Sequence, residues 1–340
     1  MSLNDYEFIK SLGKGSFGSV MLVKNKKKNE IYAMKRINLS NSDKKEIEAS
    51  LNEIRLLYSL NHPNIIGYKE SFFDEPSYTL NIILEYADDG DLLKKINYNK
   101  KKHLLFSENT IWEWAIQLIN GVKYLHSSKV IHRDLKTANI FLMKNGTMKI
   151  GDLNVSKYLK NDYARTVAGT PYYIAPEVWE DFPYDYKCDV WSLGCIIYEL
   201  CTLNPPFRGT NYKELSNNIK SGFYIPISKT YSNDLKKVIN LMLQTNPKKR
   251  ISANDLFNLP IVQSKIKNKN IIQKMSQKDI LIKTIKMPKK ISQINKVLPD
   301  KKATIIEMSK HDPYESVKKS IRIIEDKKNK KKKSKKKKYK

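Results

Sequence analysis

The sequence predicts an α+β chain: a small antiparallel sheet with one helix comes first, a longer helical stretch follows, and a lysine-rich end closes it. Three observations predict it. Short apolar runs alternate with turn signals up to about residue 86, and apolar residues at helical spacing replace them from about 107 to 258. Beyond Leu259-Pro260 the apolar density drops and lysine rises.

From Tyr6 to about Ile37 the runs YEFIK, SVMLV and IYAMKRI are separated by a glycine turn at 13–18 and a basic turn at 24–29, which reads as a three-stranded meander. Ile47, Leu51, Ile54 and Leu57 then recur at helical spacing over 43–60, and Asn61-His62-Pro63 stops the pattern. Two more strand-like runs, 65–73 and 78–86, complete a five-stranded sheet, and the acidic turn Ala87-Asp88-Asp89-Gly90 ends it. Residues 107–127 read as a long amphipathic helix capped by Ser107, with further helices at 187–202, 211–220, 232–243 and 252–258. No internal repeat and no heptad run in the tail is visible.

The 340 residues hold 63 Lys+Arg against 35 Asp+Glu, a formal charge of +28. That excess is uneven: residues 1–260 carry 36 basic and 28 acidic side chains, whereas residues 261–340 carry 27 and 7. Lysine fills 11 of the 14 positions in 327–340, a composition that does not fold alone. The first part therefore has an ordinary charge balance, and the lysine run of the tail is more often a solvated or targeting appendage than a site for acidic partners such as microtubules, nucleic acid or an anionic membrane. A composition of 40% apolar residues excludes a wholly disordered protein. Cys188, Cys195 and Cys201 fall within 14 residues of one another, which excludes a secreted disulfide framework and leaves them as small core residues in a reducing, intracellular setting. With no export-type leader and no long uncharged apolar run, a soluble chain without a transmembrane segment is expected.

Gly13-Lys14-Gly15-Ser16-Phe17-Gly18-Ser19-Val20 follows the G-x-G-x-x-G-x-V pattern of a loop over nucleotide phosphates, where backbone N–H groups must approach phosphate oxygens closely. The same text opens dinucleotide-binding folds, but there a helix follows the last glycine, and here Val20–Val23 continues as a strand. Lys35, 17 residues on in the strand text Ala33-Met34-Lys35, can reach phosphates beneath the loop. Taken alone, a lysine in such a strand is usually just a solvated surface charge. Glu53 lies on the same side of the 43–60 helix as Leu57 and can hold the lysine in place, whereas Glu46 and Glu48 read as solvated.

The decisive text is VIHRDLKTAN (130–139), KIGDLN (149–154) and GTPYYIAPE (169–177). With the glycine loop and Lys35, these motifs stand in the order and spacing of the eukaryotic protein kinases, which the chain resembles over residues 6–258. The resemblance implies a bilobal fold, with a small lobe at about 1–86 and a mainly helical lobe at about 87–260 within a catalytic domain of 1–260, and a largely disordered tail at 261–340. It implies ATP as phosphoryl donor, bound by Leu12, Gly13, Lys14, Gly15, Ser16, Phe17, Gly18, Val20, Ala33 and Lys35, with Glu53 positioning the lysine. Leu84 is the expected gatekeeper beside adenine, Glu85 and Ala87 offer hinge backbone groups, and Asp91 serves ribose or substrate. Asp134 is expected to accept the proton of the attacking hydroxyl, and Lys136 to neutralise the transferring phosphoryl group. Asn139 and Asp152 are expected to hold Mg²⁺, with Mn²⁺ as the alternative. Lys136 and Gly169-Thr170-Pro171 are similar to the serine/threonine branch, so protein Ser/Thr hydroxyls are the expected acceptors. Glu177 and Arg250 are expected to pair as a buried scaffold, and Asp189 to anchor the catalytic-loop backbone.

Tyr32–Ile37, Glu85–Leu92, Leu135–Leu142, Ile150–Lys157 and Thr170–Trp179 together resemble the NIMA-related kinases, and Ile285–Pro299 is similar to a short segment after the catalytic domain in some members. That family implies roles in cell division or at cilia, basal bodies or centrosomes, in the cytoplasm or nucleus. The chain departs from the Asp-Phe-Gly pattern at Asp152-Leu153-Asn154: Leu153 keeps an apolar plug beneath the 43–60 helix, and Asn154 is among the non-glycine residues that best tolerate positive φ. Thr166 aligns with a phosphorylated threonine whose phosphate would pair with Arg133; the alternative is an ordinary loop hydroxyl. Tyr68 is either a tyrosine that turns into the cleft to hold an inactive state or a core aromatic. The rival reading for the whole chain is a binding protein that uses the fold as a scaffold for its basic tail, but intact Lys35, Glu53, Asp134, Asn139 and Asp152 argue against it.

Overall fold

The meander forms as β1 (Tyr6–Gly15), β2 (Gly18–Asn25) and β3 (Glu30–Asn38), and the helix after it is α1 (Lys44–Ser59). In a computed structural model of the chain, residues 2–15, 18–153, 171–180, 184–267, 288 and 290–299 are described. Asp43 starts α1 because its carboxylate accepts from the Glu46 N–H while Glu46 reaches back to the Asp43 N–H, a reciprocal cap that gives the supposedly solvated Glu46 a local role. Next come β4 (Tyr68–Asp74) and β5 (Thr79–Glu85), and the antiparallel sheet runs β1-β2-β3-β5-β4. Strand β4 begins later than the apolar text suggests, because Ile65 instead bridges in parallel to Ile150.

Register separates the sheet into two faces, since residues opposite one another share a side. Tyr6, Val23, Tyr32, Met34, Phe72 and Ile83 form a small cluster on one face. Ile37, Leu80 and Ile82 join the main core together with Leu51, Ile54 and Leu57 of α1.

Below the sheet lie α2 (Leu92–Lys101), α3 (Glu108–Ser127), the short pair β6 (Ile140–Leu142) and β7 (Met148–Ile150), α4 (Pro176–Trp179), α5 (Lys187–Thr202), α6 (Tyr212–Ser221), α7 (Asn233–Met242) and α8 (Ala253–Asn258). Ser107 caps α3 as expected. Helix α2 is new: only Leu92 and Ile96 are buried on it, too few positions to mark a period in so polar a stretch. Helix α5 is buried nearly all round, including free Cys188, Cys195 and Cys201, and burial pushes all three thiols up, Cys201 to about 12.

Two helices lie in the stretch that composition assigns to the tail. Helix α9 (Pro260–Lys267) follows α8 directly, buries Val262 and sets the Lys265 ammonium over the Trp112 ring. Residues 291–297, a 3-10 turn followed by α10 (Ile294–Val297), return to β4 and bury Ile294 completely. An average over 80 residues conceals such islands of apolar side chains. Asn154, Thr166, Thr170, Ser16, Phe17 and the lysine run 327–340 lie outside the described residues. Among the described residues no helix is long and apolar enough to cross a membrane.

Candidate active site

The upper half of the site is one face of the sheet. Val20 stands opposite Lys35, and Ala33 opposite Leu84, so these four predicted residues share a side; Gly13 stands opposite Val20 on β1, next to Leu12 and Lys14. Gly15 pairs with Gly18 where the hairpin narrows. Gly18 has φ +147, and a Cβ there would lie 1.8 Å from the Arg36 carbonyl oxygen, so glycine is required by both backbone and space.

Lys35 is brought to Glu53 of α1, with Nζ 2.7 Å from Oε1 and 3.4 Å from Asp152 Oδ1. Burial by itself would lower the lysine pKa, but the Glu53 and Asp152 carboxylates outweigh it and hold the ammonium above its ordinary range. Burial pushes the Glu53 carboxyl up against the pull of Lys35. Glu53 makes this contact, as its place in the helix predicts, and neither Glu46 nor Glu48 does.

The lower half is the loop 131–139. Asp189, at the start of α5, accepts from the His132 N–H at 2.8 Å through Oδ2 and from the Arg133 N–H at 2.9 Å through Oδ1, as the sequence leads one to expect. Burial alone would raise its pKa, but hydrogen bonding and charge from His126 and His132 hold the carboxyl below its usual range. Fixed in this way, Arg133 takes φ +67 and turns the chain. Lys136 Nζ lies 3.0 Å from Asp134 Oδ2, and Asn139 Nδ2 donates to the Asp134 carbonyl (2.8 Å) and to Oδ2 (3.2 Å). Two further bonds place Asp152 beside this loop: Gly151 N–H donates to the Asn139 carbonyl, and the His132 ring bonds the Gly151 carbonyl. Asp152 itself adopts φ +55, and Leu153 is buried in the same core as α1, the plug expected of it.

At the hinge, the Glu85 N–H bonds the Gly67 carbonyl, while its side chain accepts from the Gly67 N–H and pairs with Lys149 at 2.9 Å. Ala87 is buried. Asp91 caps α2: its carboxylate accepts from the Lys94 N–H at 2.9 Å and pairs with the Lys94 ammonium at 2.7 Å, so it is engaged with its own helix. Tyr68 lies across from Leu84, its ring edge-on to Tyr58 of α1 at 5.8 Å and its hydroxyl 2.8 Å from Ser71 Oγ, which is the core-aromatic arrangement.

Below the loop, Glu177 and Arg250 form the expected buried pair, bidentate at 2.7 and 2.9 Å. Tyr173 was not singled out by the sequence. Its hydroxyl lies 2.9 Å from Thr137 Oγ1 and donates to Glu199 at 2.6 Å, and its carbonyl accepts from Ser192. Burial raises the Glu199 carboxyl to about 6. Lys149 was also missed; a lysine between Met148 and Ile150 in apolar strand text was the available signal.

The donor set fits a hard divalent cation. The Asn139 amide nitrogen is committed to Asp134, which turns Oδ1 the other way, and Asp152 supplies a carboxylate beside it. No cluster of three or more His, Cys, Asp or Glu side chains forms a metal cage among the described residues, so phosphate oxygens would have to complete the shell.

The protein kinase domain model matches residues 6–262, and the chain belongs to the protein kinase family. Its domain is a protein kinase domain, a class that uses ATP and a divalent metal. Within the class the likeness is to the NIMA-related, or Nek, kinases. The chain is 38% identical to serine/threonine-protein kinase Nek1 of Mus musculus over 285 residues, covering 83% of this chain and 23% of the relative. It is 42% identical to Nek3 of Mus musculus over 257 residues (75% and 49%) and 38% identical to probable serine/threonine-protein kinase nek2 of Dictyostelium discoideum over 273 residues (79% and 65%). The chain thus spans between about a quarter and two thirds of the length of these relatives.

Proposed function

We propose that this protein transfers the γ-phosphoryl group of ATP to Ser or Thr hydroxyls of protein substrates. One observation carries this: Lys35, Glu53 and Asp152 already meet, while Lys136 and Asn139 converge on Asp134. Asp134 accepts the proton of the attacking hydroxyl, and Lys136 offsets charge on the transferring group. Lys35, kept charged and oriented by Glu53, holds the phosphates. Asn139 Oδ1 and Asp152 would bind Mg²⁺, whose contribution is neutralisation of phosphate charge. Phosphoryl transfer asks the protein mainly for positioning and electrostatics, which these side chains supply. The test is phosphorylation of a generic Ser/Thr peptide with Mg-ATP, wild type beside Asp134→Asn. Transfer abolished only in the variant is the expected outcome, and no transfer from wild type would favour the scaffold reading.

Regulation, substrates and location follow the family likeness. Phosphorylation of Thr166, paired with Arg133, would switch the enzyme on, and equal activity of Thr166→Ala and ATP-treated wild type with no phosphate at Thr166 would refute this. The lysine run 327–340 is proposed to serve docking to acidic partners or localisation, in an intracellular role in cell division or at cilia. Deleting it should leave peptide turnover intact.

A further inference from the structure

Strand β4 is an edge of the sheet, and its outer backbone groups need partners. At Phe73 the partner is a side chain from 222 residues further along: Asn295 Oδ1 accepts from the Phe73 N–H at 2.7 Å, and Nδ2 donates to the Phe73 carbonyl at 2.9 Å. A carboxamide carries one acceptor and one donor group side by side, so Asn295 matches both outward groups of one extended residue, as a sixth strand would. Asn295 sits at the rim, and its neighbour Ile294 is the anchor, fully buried in the main core, against which Ile291, Val297 and Leu298 also pack.

Phe73 connects this contact to the catalytic lysine. The Phe73 ring meets Tyr78 edge-on at 6.0 Å, and the Tyr78 carbonyl accepts from the Leu39 N–H at 2.8 Å. Leu39 lies four residues before Asp43, the cap of α1, and α1 carries Glu53. The Leu39 carbonyl in turn accepts from the Ser42 N–H at 3.2 Å, next to that cap.

We propose that residues 290–299 are a cis-acting brace: Ile294 and Asn295 dock on the β4 edge and, through Phe73, Tyr78 and Leu39, hold α1 where Glu53 reaches Lys35. Part of the chain beyond the kinase domain is thereby a positioning element of the catalytic unit, and the groove beside β4 is a site for a short peptide of this sequence. The effect on turnover rests on the kinase reading above, whereas the docking does not.

The test uses the full chain. In Ile294→Asp/Asn295→Ala, hydrogen exchange of the Phe73 amide should quicken by about tenfold or more, since its acceptor is lost. The kcat for a Ser/Thr peptide should fall about fivefold with the peptide KM unchanged, and a synthetic peptide of residues 288–299 added in trans should restore both. If the double variant does not fold, Asn295→Ala alone, changed at the rim, should quicken Phe73 exchange about threefold. Unchanged Phe73 exchange would overturn the docking. Faster exchange with unchanged kcat would overturn the positioning role. A wild type without phosphotransfer would defeat the kinase reading and leave the exchange measurement to decide the docking.

Discussion

Two buried ion pairs divide the labour of this molecule, and they are built differently. Arg250 spends its guanidinium on both Glu177 oxygens and on the carbonyls of Gln244, Thr245 and Lys187, and it lies over the Trp191 ring. Lys35 has a single short bond to Glu53 and a longer one to Asp152, which is itself part-exposed. The first pair fastens residues of the helical lobe in many directions at once. The second depends on where α1 sits and on the φ +55 backbone at Asp152. A pair with many fixed partners serves as scaffold, whereas one that spans a separately packed helix can be made or broken by moving that helix.

Asp134→Asn should lower kcat by about 10²–10⁴-fold with an unchanged melting midpoint, because it removes the proton acceptor and leaves both pairs intact. Arg250→Met should cost about 3–5 kcal/mol in denaturant unfolding, since it strands the Glu177 carboxylate in the core. Glu53→Gln should lower kcat/KM about tenfold yet shift stability by less than about 1 kcal/mol, because it also removes a buried carboxylate whose pKa burial already raises. Equal destabilisation by Arg250→Met and Glu53→Gln would abolish the distinction. Gly18→Ala, which must displace the Arg36 carbonyl at φ +147, should cost about 1–3 kcal/mol or distort the loop enough to raise the KM for ATP several-fold.

A pH dependence beyond the end of α1 is absent at neutral pH and emerges only in acid. His62 stacks on Tyr124, and its Nδ1 accepts from the Asn64 N–H; burial and then the Lys149 charge lower its pKa to about 4. The unfolded chain binds a proton at this ring below about 6.5, and the folded one only below about 4. Stability from His62 is therefore complete above about 6.5 and is lost as pH falls towards 4, by no more than about 3 kcal/mol. The difference between wild type and His62→Asn across that window isolates this contribution; a flat difference would show that the ring titrates normally.

Much of the catalytic text was legible because it is local. Asp134, Lys136 and Asn139 lie within six residues, and the meander and α3 carry clear periods of two and 3.6. Glu53 could be chosen over Glu46 and Glu48 because it alone lies at the right distance before the stop at His62-Pro63-Asn64. Helix α2 offered two buried positions, and β6 and β7 have three residues each, so neither could show a period. The Tyr173, Thr137 and Glu199 contacts and the return of Ile294 to the sheet join residues far apart in the chain, which no window along it can register.

By itself, then, the sequence determined which chemical groups are present, that a small sheet with one helix precedes a helical stretch, and which acid of α1 faces the lysine. The tertiary structure decided that the Tyr173 hydroxyl joins Thr137 to Glu199, 62 residues apart, and that Asn295 finishes the edge of β4. Periodicity is imposed by the backbone over a few residues, whereas these contacts exist only once register and packing have brought distant strands and helices to a common place.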